Sequence, residues 1–532
     1  MKYISLLIFF AYFLSGHAQV SVTEKNMDLP VSCSEPENQN LQIWFDKPAA
    51  DWMREALPIG NGFMGAMVYG GTTSDTIQLN EESMWTGGPG SNPDYHGGNR
   101  KGASIHLKKV RRLMAQNEYA EARDLIKSKL LGQLKEIEKG STDYGANQPL
   151  GNIIVSYDHD TGVSNYKREL DLQDAIVSVD YNVGETAYSR EYFASYPDKV
   201  IVARYEQSKK TSLSISFNAK QEVDNVSVDD ENKIITFAGH INQNGQKYIC
   251  RIYIRNNDGK LSFSKDKIEL TDNSGFELYI HAFTNYSSEH PDYVSNVFPD
   301  NKFNVIRGLR EHLYTSIRSR HIRDYQKLFE RVQFDLGHSN NEALPTSQRV
   351  QRYAAGDHDP GLEVLYFQYG RYLLISSSRP GSLPAHLQGK WNNSVNPPWA
   401  CDYHTNINVQ MNYWPAEVTN LSECAVPLNN FIGSLVKPGS ITAKEMFGAR
   451  GWTTSTMTNI WGFTSNGWGL PWGYFPSAGA WLAQHLWEHY DFSRDKAYLD
   501  TFAYPIMKGA ALFWFDYLTE DEQGYLVSNP SF

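Results

Sequence analysis

The hydrophobic period of this chain changes near residue 300, and that change limits the folds open to it. Before it, short segments alternate apolar and polar residues: AIVSVDYNV, YSREYFASY, KVIVARYEQ, SLSISFNAK, KIITFAGHI, YICRIYIRN and FELYIHAFTNY, separated by turn residues. Strands at this spacing predict an antiparallel sandwich. After it, LREHLYTSIRSRHIRDYQKLFERV, LEVLYFQYGRYLLISSS, AGAWLAQHLWEHY and YPIMKGAALFWFDYLTE have helical length, and Leu482, Leu486 and Tyr490 mark one apolar face. At 532 residues the chain exceeds one ordinary domain. The expectation is a multidomain β + α chain: a β-sandwich over 40–295, a helical linker over 300–340, and a helical domain over 341–532. A helical insertion is predicted within the β domain, where Leu107, Val110, Leu113 and Met114, then Ala120, Ala122, Leu125, Ile126 and Leu130 recur at helical spacing. The linker's basic residues are expected on a solvated face, and His321 and Asp324, one turn apart, could pair.

The first residues, MKYISLLIFFAYFLSGHAQV, combine Lys2, an apolar run from Ile4 to Leu14 and the small-residue pattern Gly16-His17-Ala18. This predicts a signal peptide over 1–18, cut after Ala18, and an exported protein, periplasmic or extracellular. An uncleaved anchor is the alternative, although the run is short for a bilayer, and no later run reaches membrane length. A net charge of −11 argues against nucleic acid as a partner. Cys33, Cys250, Cys401 and Cys424 lack metal-cage spacing. Export permits disulfides, and Cys401–Cys424 is the pair to test, with buried free thiols as the other option.

Gly60-Asn61-Gly62 resembles a phosphate cradle, but no Lys-Ser/Thr follows it, so a tight turn entering a strand is predicted. Glu81, Glu82 and Trp85 could reach a cleft, with a solvated loop as the default. GxSxG is absent, and His485 and His489 sit in HLWEH rather than HExxH, so they read as core or rim histidines.

The densest chemistry lies in QGKWNNSVNPPWACDYHTNINVQMNYWPAE, residues 388–417. Asp402, His404, Asn406, Asn408 and Gln410 alternate with Tyr403, Thr405, Ile407, Val409 and Met411. In an extended backbone the polar five would share one face. Such a row can hold several hydroxyls or a water, with Trp391, Trp399, Trp414, Tyr403 and Tyr413 as surrounding flat surfaces. A half-buried strand with a polar outer face is the ordinary alternative. Ten of the 13 tryptophans lie between Trp391 and Trp514, which favours a cleft for ring-shaped ligands. Glycoside hydrolysis needs two carboxyl functions. Asp402 is the acid nearest the strip, followed by Glu417 and Glu423. An Asn cannot act alone as a base, but Asn406 and Asn408 can hold a water for a nearby carboxylate to activate.

The block HTNINVQMNYWPAEVTNLSEC, with LQGKWNNSVNPPW before it, closely resembles the catalytic signature of glycoside hydrolase family 95, inverting α-L-fucosidases and related α-L-galactosidases. LPIGNGFMGAMVYGG, IQLNEESMWTGGP, YSREYFASYPDKVIVARY, DYQKLFERVQFDLG and GWGLPWGYFPSAGAWLAQHLWEHY extend the resemblance over nearly the whole chain. It implies a super-sandwich-like β domain, a helical linker, an (α/α)6 barrel and a C-terminal β domain. It also implies that Asn406 and Asn408 position the attacking water beside a later Asp, and that His404 binds the sugar. The general acid would be a Glu in a Ser-Pro-Glu segment after SNPSF. The candidate substrate-binding set is completed by Asp402, Trp391, Trp399 and Trp472. No metal or organic cofactor is implied, and the partner is a fucosylated oligosaccharide or glycan. Two departures carry weight. The sequence stops at Phe532, so 341–532 reads as a partial (α/α)6 barrel lacking its acid, and an inactive glycan-binding fragment is one alternative. The family's His-His-Asn-Thr-Asp after GARGW is here Thr453–Asn459, TTSTMTN, which leaves an α-L-galactosidase as another.

Overall fold

A computed structural model describes residues 41–138, 141–159, 162–264 and 267–531. The signal-peptide segment and Cys33 lie outside the described residues. Among these residues, fourteen strands join one antiparallel sheet that doubles over into two layers. Its main path runs Gln42–Phe45, Val163–Asp171, Ile176–Val183, Thr186–Ser195, Val200–Ala219, Lys267–Thr284, Lys247–Asn256, Ile234–His240 and Glu222–Asp229. Val200–Ala219 serves both layers. Val200–Gln207 pairs with Thr186–Ser195, whereas Leu213–Ala219 pairs with Gly151–Tyr157 on the same edge. Register shifts between Glu206 and Leu213 mark the bend, as an extra residue in one strand turns it locally. Gly151–Tyr157 leads on to Ser74–Glu81, Met64–Val68 and Leu57–Gly60, the second layer.

Between the layers Asp75, fully buried, accepts from the hydroxyls of Tyr192 (2.5 Å) and Tyr205 (2.8 Å) and lies 3.5 Å from the Arg190 guanidinium. A buried carboxylate persists only when partnered in this way. The turn at Gly60-Asn61-Gly62 enters Met64–Val68 as predicted. Gly62 has φ 85°, and the Asn61 side-chain oxygen caps the amides of Phe63 and Met64.

The linker is two helices, Asp300–Leu309 and Tyr314–Phe329, whose Ile306, Leu309, Tyr314 and Ile317 pack on Phe193, Val200, Val202 and Tyr279. Its arginines are not all solvated. Arg318 pairs with Glu191 on the sheet at 3.1 Å, and Arg320 with Asp198 in the turn after Thr186–Ser195 at 2.6 Å. His321 and Asp324 do not pair: the imidazole contacts the carbonyl oxygens of Asp174 and Ala175, and Asp324 binds Arg379 at 2.8 Å.

The helical domain is the first part of an (α/α)6 barrel. Its helices include Pro360–Ser377, Asn408–Val418, Ser422–Thr442, Ala478–Ser493 and Tyr504–Tyr517. Pro360–Ser377 begins at Asp359, whose carboxylate caps Leu362 and is clamped by the buried Arg349. The insertion forms the predicted helices, Leu107–Ala115 and Tyr119–Lys129. Their apolar faces join Met446, Phe447, Tyr474, Phe513 and Tyr517 of the helical domain in one cluster.

The seam between the two domains is polar and buried. Glu81 and Trp85 are buried and Glu82 nearly so, which overturns the solvated loop expected there. Glu82 pairs with Lys390 at 2.8 Å and accepts from the Leu383 amide at 2.7 Å. Asn80 and Gln78 both donate to the Asn392 carbonyl, and Asn80 accepts the Asn392 amide in return. Gly88, at φ 71°, lies so close to Trp461 that a Cβ there would fall 2.5 Å from the indole. The Trp461 indole N–H donates to the Thr86 carbonyl at 2.7 Å. Cys401 and Cys424 are separate buried thiols, so the proposed disulfide is not formed.

Two outcomes follow for stability. Lys390→Met strands a buried Glu82 carboxylate and should cost about 3–5 kcal/mol in denaturant unfolding. Adding Glu82→Gln should recover most of that loss; a double variant as unstable as the single one would refute the pairing argument. Burial, then the neighbouring Glu82, pushes the Glu81 carboxyl up to about 7. An unfolded Glu titrates near pH 4.3. The folded state therefore binds the extra proton between these values, and stability falls as pH rises from about 4.5 to 7. Its contribution is on the order of 3 kcal/mol. Glu81→Gln should flatten the unfolding profile in that window, and an unchanged slope would contradict the assignment.

Candidate active site

The alternating stretch is not a strand. Only Tyr403–His404 is extended, paired with Met457–Thr458, and the helix Asn408–Val418 begins four residues later. Two causes are visible. Trp399, Ala400 and Cys401 all adopt left-handed conformations (φ 48°, 58°, 49°), which turns the chain sharply just before the pair. Beyond it, Val409, Gln410, Tyr413, Ala416 and Glu417 are the buried residues, and their spacing is helical rather than alternate.

The bend nevertheless brings Asp402 and His404 into contact. Asp402 is 1% exposed. One of its oxygens takes Nδ1 of His404, and the other accepts the hydroxyl of Tyr144 at 2.6 Å. Burial raises the Asp402 carboxyl above the usual carboxylate range, while His404 and Tyr144 oppose the rise. His404 keeps a partly exposed ring, and Trp399, 70% exposed, lies over it with centroids 5.4 Å apart. Asn406 sits in the turn between strand and helix, and its amide oxygen is buried without a hydrogen-bond partner. Asn408 is the first residue of the helix and half-buried. Gln410 is fully buried and donates to the Thr405 carbonyl at 2.6 Å.

Thr453–Asn459 backs the site and is buried throughout. The Thr405 amide donates to the Thr456 carbonyl at 2.8 Å, and the Thr405 hydroxyl to that of Ser455. Thr456 and Ser455 in turn donate to the carbonyls of Trp472 and Gly473. Trp472 and Trp468, each about two-fifths exposed, meet edge to face at 5.4 Å. Trp468 also meets the Tyr144 ring at 5.3 Å.

Trp391 does not belong to this group. It is 6% exposed, packed with Ala56 and Met67, and its indole N–H donates to the Ile59 carbonyl. It holds the seam, and its expected place as a sugar platform is withdrawn. Tyr403 and Tyr413 are likewise buried in the core, and Trp414 faces outward on its helix. Glu417 lies nine residues beyond Asn408 on the same helix, about 13 Å along its axis. Its oxygens are bound by His489 (2.6 Å) and by Ser422. Glu423 is paired with Arg331 at 2.7 Å. His485 is buried, and burial holds it down to about 4, consistent with a core histidine.

Sequence reasoning missed Tyr144 and Trp468. Tyr144 comes from the β domain, 258 residues from Asp402, and no local pattern announces it. Trp468 was visible only as one of the clustered tryptophans.

Residues 313–532 match the glycosyl hydrolase family 95 catalytic domain, and residues 43–289 match the glycosyl hydrolase family 65 N-terminal domain. The chain is 36% identical over 526 residues to Alpha-L-fucosidase 2 of Arabidopsis thaliana, covering 92% of this chain and 60% of that protein. It is 34% identical over 516 residues to Probable alpha-fucosidase A of Aspergillus niger, covering 92% and 62%. The chain thus spans about three-fifths of the length of these relatives. A putative kojibiose phosphorylase from human microbiome shares the fold, with TM-score 0.58 at 8% identity, covering 92% of this chain and 61% of that one. With the architecture, the polar cluster and these matches in agreement, this chain belongs to glycoside hydrolase family 95.

Proposed function

We propose that this chain is the sugar-binding and water-positioning part of an exported α-L-fucosidase that removes terminal α-L-fucose from glycans with inversion. The observation that carries the reading is the buried, unpartnered amide oxygen of Asn406, in the turn between His404 and the helix that begins at Asn408. An acceptor left open next to polar neighbours suits a bound water or sugar hydroxyl. The naming of the relatives as fucosidases supports the choice of sugar.

In this reading Asn406 and Asn408 hold the attacking water while a carboxylate activates it. Trp399, Trp468 and Trp472 offer flat faces to the sugar and its aglycone. Asp402 is held by His404 and Tyr144 and Glu417 by His489, so neither presents a free carboxyl to a leaving group here. The rival reading is an α-L-galactosidase on the same scaffold, because the sequence Thr453–Asn459 departs from the pattern the resemblance implies.

Asn408→Ala should lower kcat on an aryl α-L-fucoside by roughly 10²–10³-fold with the fold retained. Wild-type turnover in that variant would sink the water-positioning role. Proton NMR of the first-formed sugar should show the β-anomer. Retention of the α-anomer would exclude inversion, and faster release from an aryl α-L-galactoside would favour the rival sugar.

A further inference from the structure

We propose that Tyr144, supplied by the β domain, is a positioning residue that acts through Asp402 to fix His404 with its proton on Nδ1, so that Nε2 faces the cleft as a hydrogen-bond acceptor. For the ligand this rests on the glycosidase reading above; the tautomer itself does not.

The Asp402 carboxylate has only acceptor oxygens when ionised. One is filled by the Tyr144 hydroxyl at 2.6 Å, and the other contacts Nδ1 of His404. Nδ1 must then carry the proton, because a carboxylate cannot donate one. Nε2 has no protein partner among the described residues, and the ring keeps some exposure. A neutral imidazole held this way presents a lone pair, suited to accept from a sugar hydroxyl.

Tyr144 is placed firmly enough to set this arrangement. Its carbonyl accepts from the Asn459 side chain at 2.7 Å. Its ring meets Phe463 edge to face at 4.8 Å and Trp468 at 5.3 Å. The hydroxyl also lies 3.1 Å from the Thr458 carbonyl, on the strand paired with Tyr403. Without that hydroxyl, one Asp402 oxygen would be buried without a donor, and the carboxylate would be free to rotate away from His404. A hydrogen bond to an oriented buried group is what keeps a histidine in one tautomer.

The test uses the intact chain labelled with ¹⁵N-histidine, with His404 assigned from the signals lost in His404→Gln. Long-range proton–nitrogen correlation should show Nδ1 protonated and Nε2 bare in the wild type. Tyr144→Phe should give a mixture of tautomers and weaken L-fucose binding, read by tryptophan fluorescence, by roughly tenfold. A wild-type His404 protonated on Nε2 would overturn the proposal. So would a Tyr144→Phe variant with unchanged tautomer and affinity. If L-fucose fails to bind the wild type, the sugar reading falls, yet a tautomer shift in Tyr144→Phe still supports the positioning role. Should that variant not fold, Asp402→Asn is the second measure. It should invert the tautomer to Nε2–H, and an unchanged tautomer there would also overturn the proposal.

Discussion

The strand Ser74–Glu81 ties this molecule together. Near its start, Asp75 is locked between the sheet layers by Tyr192, Tyr205 and Arg190. At its far end, Gln78, Asn80 and the following Glu82 bind Asn392, Leu383 and Lys390. One stretch thus reaches from the centre of the sandwich to the loop that leads into the candidate site. Polar groups buried on this scale are stable only when each finds a partner, so the seam specifies one mutual placement of the two domains. A greasy seam of equal area would tolerate sliding; this one does not.

Much of the architecture was legible because it rests on local pattern. The segments from AIVSVDYNV to FELYIHAFTNY form strands, and the helices at 107–115, 119–129, 360–377, 478–493 and 504–517 follow their apolar faces. The site was only half legible. His404, Asn406 and Asn408 were singled out through their motif, but the alternation that suggested a strand was coincidental. The left-handed run at 399–401 uses Trp, Ala and Cys, so no glycine signalled it. Trp391 resembled its neighbours in sequence and differs from them only in burial. Glu82 and Lys390 are 308 residues apart, and their pairing depends on domain placement that periodicity does not encode.

The chemistry of the site reflects a division of labour between rigid and open elements. Asp402 and the residues of 453–459 form a buried backing in which Asp402, Thr453, Ser455 and Thr456 each find a hydrogen-bond partner. Nearby in the chain, the Asn406 oxygen is buried without a partner and the Trp399 indole is exposed. Fixed polar groups facing an opening bind a ligand at little reorganisation cost, which is how such sites gain from being built on a stiff scaffold.

The insertion helices have a consequence for modularity. Leu107, Val110, Leu113 and Ile126 belong to the β domain by sequence but share a core with Met446, Phe447, Phe513 and Tyr517. The boundary drawn by chain order is therefore not the boundary drawn by physics. Excising 313–532 as a catalytic cassette would uncover that cluster and remove the phenol that orients the histidine. Recombination between relatives would have to exchange both halves together, because neither carries a complete site.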